Sequence, residues 1–398
     1  MKAIVTLNAG SSSIKFALYE LLGDNLRFDA GGKIEEIGTA PRLRARNAEG
    51  DIILERDWLH DGGISHEHLL EDLFAWAATQ LGDREIVAIG HRIVHGGQNF
   101  AAPRLIDDAL LEALDALIPL APLHQPHNLA AVRALRALAP DLPQIACFDT
   151  AFHHDLSPLA TRLPLPRAFH DQGVRRYGFH GLSYEHIAGR LREADPGRAG
   201  GRVIAAHLGN GASMCAMREG KSVDTTMGFT ALDGLMMGTR SGALDPGVVL
   251  HLQTQVGMSA QEVEALLYKK SGLLGVSGLS SDMRTLHASE APEAAEAIDL
   301  FVRQATRQAA ALIPALGGLD GIVFTAGIGE NDPVIRARIC ENLSWLGCGL
   351  DAEANARNAG VISAEQSRVV VRVIPTDEEA VIAHHVVDLI KAEGSAFS

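Results

Sequence analysis

Ala3-Ile4-Val5-Thr6-Leu7 runs into Asn8-Ala9-Gly10-Ser11-Ser12-Ser13, and Ile14-Lys15-Phe16 resumes the apolar pattern. This stretch predicts a buried strand, a turn of small hydrogen-bonding residues and a second strand. Such a turn aims backbone N–H groups and hydroxyls at one point, with the charge of Lys15 beside them, and so suits a phosphate group. Later in the chain Val203-Ile204-Ala205-Ala206 runs into His207-Leu208-Gly209-Asn210-Gly211-Ala212-Ser213 on the same plan. Two strand–glycine–strand turns suggest two related halves serving one nucleotide. A third glycine turn, Ala326-Gly327-Ile328-Gly329-Glu330-Asn331, follows the apolar run 321–325. One such turn is often a plain hairpin. Three, each directly after an apolar strand, can supply backbone donors along a polyphosphate, with a helix N-terminus after Gly329 facing the nucleotide.

Working outward, Ser65 precedes a helical period of Leu69, Leu70, Leu73, Phe74, Ala77 and Leu81. Residues 86–89 read as a buried strand ending at Gly90-His91-Arg92. Asp107 is placed to cap a helix carrying Leu110, Leu111, Leu114, Leu117 and Ile118, and Asn128 to start another that ends by Pro140. Residues 144–148 form a short strand ending at Asp149. In the second half, strands at 202–207 and 213–218 precede a tight turn at Glu219-Gly220-Lys221. A long helix is expected over 293–315 and a last strand over 368–374. Asp332 followed by Pro333 fits a helix start, and Thr376 with Glu379 has capping-box spacing. Alternating strands and helices make this an α/β protein. The repeat sets a domain boundary near residue 150.

Composition narrows the class. A chain of 398 residues favours two domains. A net charge of −14 argues against a nucleic-acid partner, which needs a basic face. The four cysteines form no CxxC pair, so neither a zinc knuckle nor a redox motif is indicated. No run approaches a membrane span, and the start lacks the apolar segment of a secretory signal. The expectation is a soluble, reduced, cytoplasmic protein. No GxxxxGK[ST] is present and neither Gly209-Asn210-Gly211 nor Gly327-Ile328-Gly329 completes GxGxxG, which leaves P-loop and Rossmann sites unsupported.

Arg92, in Gly90-His91-Arg92-Ile93-Val94-His95-Gly96-Gly97, and Arg240, in Gly238-Thr239-Arg240-Ser241-Gly242, are crowded by glycines. Surface salt-bridging is the usual fate of an arginine. A planar guanidinium beside glycine can instead hold carboxylate or phosphoryl oxygens. His180 lies between glycines beside an aromatic in Tyr177-Gly178-Phe179-His180-Gly181. His153-His154 and His124/His127 have metal-ligand spacing, but no cysteine or carboxylate set accompanies them. Asp149 ends a strand, where α/β active sites lie; its plainer role is capping the next turn. Glu378, in the first turn of the last helix, favours the helix dipole and could hold Mg2+ through water.

These segments resemble, in family order and across essentially the whole chain, the signatures of the acetate kinase family. The resemblance implies the fold that family shares with sugar kinases, Hsp70 and actin: two duplicated RNase H-like domains, the actin-like ATPase fold, with the active site in the interdomain cleft. Residues 1–150 with a returning helix over 380–398 would form one domain, and 151–379 the nucleotide-binding one. It also implies a homodimer and the reaction of ATP with acetate to give ADP and acetyl phosphate, with Mg2+ or alternatively Mn2+. Arg92 and Arg240 would hold the carboxylate and the transferring phosphoryl group, His180 would hydrogen-bond that group, and Asn8 and Glu378 would position the metal. Lys15 with Ser11, Ser12 and Ser13, and His207 to Gly211 (Leu208, Gly209 and Asn210 between them), would approach the phosphates. Asp282, Met283 and Arg284, with Gly327, Ile328, Gly329, Glu330 and Asn331, would hold adenosine. Val94, Leu123 and Phe179 would enclose the acetate methyl. Asp149 belongs to the site with a less defined role.

The chain departs from the family pattern in places. Leu182-Ser183-Tyr184 stands where Thr-Ser-His is usual, Pro122-Leu123-His124-Gln125-Pro126 where Pro-Leu-His-Asn-Pro is usual, and Ala243 replaces an aspartate. Ala231 replaces the usual proline of the acetate pocket, which opens room for propionate. A sugar kinase would need a base and polar groups for several hydroxyls, which the apolar set Val94, Leu123 and Phe179 does not offer. An ATP-gated binding module would need a further partner-binding domain.

Overall fold

Strand β1 (Lys2–Ala9) is buried along nearly its whole length because it is paired on both edges and covered on both faces. It pairs antiparallel with β2 (Ile14–Leu22), bringing Asn8 opposite Lys15 across the glycine turn. Strands β3 (Asn25–Glu35), β4 (Arg42–Asn47) and β5 (Ile52–Asp57) continue the sheet as antiparallel hairpins on one side. On the other side, β6 (Glu85–Ile93) and β8 (Gln144–Phe148) join parallel, and the two-residue β7 (Arg104–Leu105) closes the edge. The computed structural model describes residues 1–10, 13–23, 25–58 and 64–392. Ser11 and Ser12 lie outside the described residues.

The chain divides into an N-terminal unit, Met1–Ala151 with the segment from Asp377 on, and a central unit, Phe152–Thr376. In the N-terminal unit, helices His66–Leu81 and Gln125–Leu138 cover one face of the sheet over Val5, Leu7, Leu18 and Ile89, with Leu135 of the second helix in the same cluster. Helix Glu378–Ala392 packs against β1 and β6. A Cβ on Gly90 would stand 2.4 Å from the Ile382 side chain. Glycine there lets helix and sheet approach closely.

The central unit repeats the plan. Strands β9 (Arg202–Leu208), β10 (Ala212–Arg218) and β11 (Lys221–Thr225) form an antiparallel meander, and β12 (Gly321–Thr325) and β13 (Val370–Val373) add parallel to β9. Its order, β11-β10-β9-β12-β13, matches β3-β2-β1-β6-β8 strand for strand and direction for direction. Glu219 and Gly220 both have positive φ, the geometry of a tight hairpin turn. Helix Gly181–Ala194 packs over Val203, Ala205 and Met217, and the long helix Pro292–Leu316 packs against β9, β10 and β11.

Ser65, Asp107 and Asp332 cap helices as the sequence predicts, each accepting a bond from the first turn. Three junctions differ. The helix expected from Asn128 begins at Gln125, because Pro126 presets the first turn. Asn128 is buried within it, accepting from the Val94 N–H at 2.9 Å and donating to the Ala9 carbonyl. The glycine turn 326–331 is itself a short helix, so its N-terminus lies at Ala326 rather than after Gly329. The Glu330 carboxylate closes back on the Ala326 N–H at 2.7 Å. The last helix is capped by Asp377, whose side chain accepts from the Ala380 N–H, while Thr376 bonds instead to the Ser183 hydroxyl.

Candidate active site

The N-terminal unit gathers Asn8, Arg92, Asp149 and Glu378. Asn8 ends β1, Arg92 lies near the end of β6, Asp149 follows β8, and Glu378 opens the last helix. Arg92 donates to Asp149 at 2.7 Å and to the Asn8 amide oxygen at 3.2 Å, and its Nε lies 3.8 Å from Glu378. Asn8 donates in turn to Glu378 at 3.2 Å. Asp149 is fully buried. Burial opposes the Arg92 charge, yet Asp149 and Glu378 hold the guanidinium above its ordinary range. Burial pushes Glu378 up to about 7, with Arg92 pulling it down and the neighbouring Asp149 pushing it further up. Lys15, exposed on β2, also draws Glu378 down. Val94 is buried immediately after β6, and Leu123 is half-buried just before the helix at Gln125.

The central unit gathers a second set. His180 takes a left-handed backbone, φ 59° and ψ 28°, at the head of helix Gly181–Ala194, a conformation uncommon outside glycine. Its Nδ1 meets the Ser213 hydroxyl at 2.8 Å, and its ring stacks on His207 with centroids 4.1 Å apart. Arg240 donates to the Ala231 carbonyl at 2.6 Å. A Cβ on Gly211 would stand 2.5 Å from an Arg240 terminal nitrogen and 3.5 Å from His180 Nε2. A side chain there would displace the Arg240 guanidinium from the point where it and the imidazole converge. Asn210 lies against Gly238 and accepts its N–H through the backbone at 2.9 Å, joining the two motif loops. Phe179 is buried and Ala231 half-buried. Leu208 is fully buried in β9, so only its backbone is available to a ligand.

A cavity of about 670 Å³ in the central unit is lined by Asp282, Met283, Arg284, His287, Ala288, Gly327, Ile328, Asn331 and Asp332. It brings together six residues assigned to adenosine from sequence. Gly329 and Glu330 do not line it: Gly329 is buried, and Glu330 bonds the Ala326 and Thr376 N–H groups. His287 and Asp332, which meet at 2.9 Å on its wall, were missed; they lie within a few residues of the assigned motifs. A smaller cavity of about 330 Å³ in the N-terminal unit is lined by Lys15, Phe28, Lys33, Arg44 and Arg46 with Asp377 and Glu379 among others.

Among the described residues no three His, Cys, Asp or Glu side chains form a metal cluster. His153 is engaged by the Ser222 hydroxyl and the Phe179 carbonyl, a structural role rather than metal ligation. The oxygens of Asn8 and Glu378 suit Mg2+, which keeps most of its water and takes one or two carboxylates from protein. Glu378, raised by burial beside a second acid, is a group that a cation would return to its ionised form.

Two five-stranded cores of one order, each presenting loops at the ends of its parallel strands, define a duplicated actin-like ATPase fold. The acetokinase family model matches residues 3–384, and the chain belongs to that family. It is 54% identical over 390 residues to an acetate kinase of Rhodopseudomonas palustris, covering 96% of this chain and 97% of the relative. It is 50% identical to an acetate kinase of Methylocella silvestris, covering 99% and 100%. Among solved structures it resembles a propionate kinase from Francisella tularensis (TM-score 0.88, 37% identity, 97% and 99% covered) and an acetate kinase of Porphyromonas gingivalis (TM-score 0.84, 36% identity, 98% and 100% covered). No helix among the described residues is long and apolar enough to cross a membrane.

Proposed function

We propose that this chain catalyses reversible phosphoryl transfer from ATP to acetate, giving acetyl phosphate and ADP, as a Mg2+-dependent cytoplasmic homodimer. The observation that carries the reading is that a member of this family holds two arginine-centred clusters, Arg92 with Asp149, Glu378 and Asn8, and Arg240 with Gly211 and His180. Full-length identity of 54% and 50% to proteins named acetate kinase supports acetate as the acceptor.

In this reaction a carboxylate oxygen attacks the γ-phosphorus and the bond to the β-phosphate oxygen breaks. The acceptor is already ionised near neutral pH, so Asp149 is not needed as a base. It holds Arg92 charged and oriented. Catalysis then rests on positioning and charge neutralisation. Arg92 holds the acetate carboxylate, and Arg240 and the His180 Nε2 stabilise the transferring group. Val94, Leu123, Phe179 and Ala231 set acyl size. The 282–284 and 327–331 segments take the adenosine, and Lys15, Ser13 and 207–211 take the phosphates. Glu378 and Asn8 would hold Mg2+ directly or through water; when bound, the ion neutralises β- and γ-phosphate charge.

Propionate is the second reading. Ala231 stands where the family usually has proline, and the chain is 37% identical to the solved propionate kinase. An extra methylene is worth only about 1–3 kcal/mol of discrimination. Hydroxylamine trapping of acyl phosphate from Mg·ATP with acetate, propionate or butyrate decides between them. Acetate is expected to give the highest kcat/KM, and Arg240→Ala to lower the rate on the order of 10³-fold or more. A higher kcat/KM for propionate would keep the chemistry and change the substrate. No acyl phosphate from any acid, with ATP still bound, would sink the reading.

A further inference from the structure

Two stacked imidazoles in the central unit each end a chain of hydroxyls. Tyr184, Ser213 and Ser183 are buried, and Tyr184 is one of the largest fully buried side chains. The Tyr184 hydroxyl meets the Ser213 hydroxyl, which meets His180 Nδ1 at 2.8 Å. In parallel, Thr376 donates to the Ser183 hydroxyl at 2.8 Å, and Ser183 meets His207 Nδ1 at 2.8 Å. Tyr184 also packs edge-on against His207.

We infer that these two relays make Tyr184 and Ser213, with Thr376 and Ser183, positioning residues that fix His180 and His207 as neutral Nε2–H tautomers. A phenol is a better donor and a poorer acceptor than an alcohol, so Tyr184 donates to Ser213. The Ser213 proton is then directed to His180 Nδ1, which must accept. The ring's one remaining proton sits on Nε2. That nitrogen is the one beside Gly211 and the Arg240 guanidinium. The Thr376–Ser183 relay does the same for His207, whose Nε2 faces the Gly209 side of the turn. Each ring thus presents an N–H, rather than a lone pair, toward the glycine turn, which suits anionic phosphoryl oxygens. A neutral pair also stacks at 4.1 Å without like-charge repulsion.

The inference deepens the proposed reaction, but its first readout does not depend on turnover. Long-range ¹⁵N–¹H spectra of the full-length protein, with His180 and His207 assigned by loss of their signals in His180→Gln and His207→Gln, report which ring nitrogen is protonated. Both are expected as Nε2–H. Tyr184→Phe and Ser213→Ala should each move His180 toward a tautomer mixture and leave His207 unmoved, with far-UV circular dichroism unchanged. Acetyl phosphate formation should lose roughly tenfold in kcat, the scale lost when the outer partner of a functional imidazole is removed. KM for ATP and acetate should stay within about twofold, because the groups that contact the substrates remain in place. The double variant should be no worse than Ser213→Ala, since both act through one bond. An Nδ1–H tautomer in the wild type, or a His180 signal unmoved by both substitutions, overturns the inference. Absence of acyl phosphate from the wild type would overturn the proposed reaction instead, with the tautomer result still deciding the relay.

Discussion

Arg92 and Arg240 place the same guanidinium in different settings. Arg92 is held between buried carboxylates, so its removal would strand Asp149 in the interior at a cost of about 3–5 kcal/mol. Arg240 donates to the Ala231 carbonyl, and the proposed reaction gives it the transferring group to stabilise, so its removal tests that role. Two buried histidines, His91 and His95, are pushed down to about 4 by burial and so respond to acid. His91 is buried on β6, and burial pushes it down to about 4, with the hydrogen bond to Gln144 acting in the opposite direction. Its folded pKa lies below the unfolded value of 6.5. The stability contribution is therefore present above pH 6.5 and lost as pH falls toward 4. Between pH 7 and pH 5 this group alone should cost about 2 kcal/mol. Urea unfolding at those two pH values, wild type against His91→Gln, measures it: the variant should lose less stability over the interval. Equal losses would show that His91 is not the group responsible.

At the scale of elements, close approach constrains the sequence most where the last helix crosses β6. Gly90→Ala would drive a methyl to 2.4 Å from Ile382 Cγ2 and 2.8 Å from Val386 Cγ2, both in a closely packed layer. The expected cost is about 1–3 kcal/mol, read as a lowered thermal midpoint, and Ile382→Val should recover part of it by making room. A midpoint unchanged by Gly90→Ala would mean that the helix shifts at no cost. The elements legible in the sequence are those with local signals. Ser65, Asp107 and Asp332 precede periodic apolar runs and cap as expected. The misread junctions have non-local causes. Asn128 has the residue type of a cap, but its amide is used to tie Ala9 and Val94 together, residues distant in sequence. Two glycines argued against a helix at 326–331, and the Glu330 side chain that closes its first turn is visible only once folded. The hydroxyl relays were likewise hidden, because Ser213 on a buried strand and Ser183 on a helix face look like ordinary packing residues.

At the scale of the whole molecule, the duplication was legible because β1 and β9 carry the same strand–glycine–strand pattern, and the two sheets share one strand order. The chemistry is nonetheless unequal between the copies. The Asp282–Ala288 and Gly327–Asp332 lining belongs wholly to the central unit, whereas the N-terminal unit spends its corresponding strand ends on Arg92, Asp149 and Glu378. The cavity beside Lys15 also carries cationic groups, of which Lys33 and Arg44 are engaged by Glu35 and Glu55. Adenosine binding should therefore be read out on the central unit. In hydrogen exchange with Mg·ADP, amides of 282–288 and 326–332 should slow, while those of β3 to β5 keep their rates. Their protection reflects the bound fraction, with about 2.7 kcal/mol of stabilisation available at a hundredfold excess over Kd. Slowing confined to β3 to β5 would instead place the nucleotide at the Lys15 cavity and reverse the assignment of the two copies.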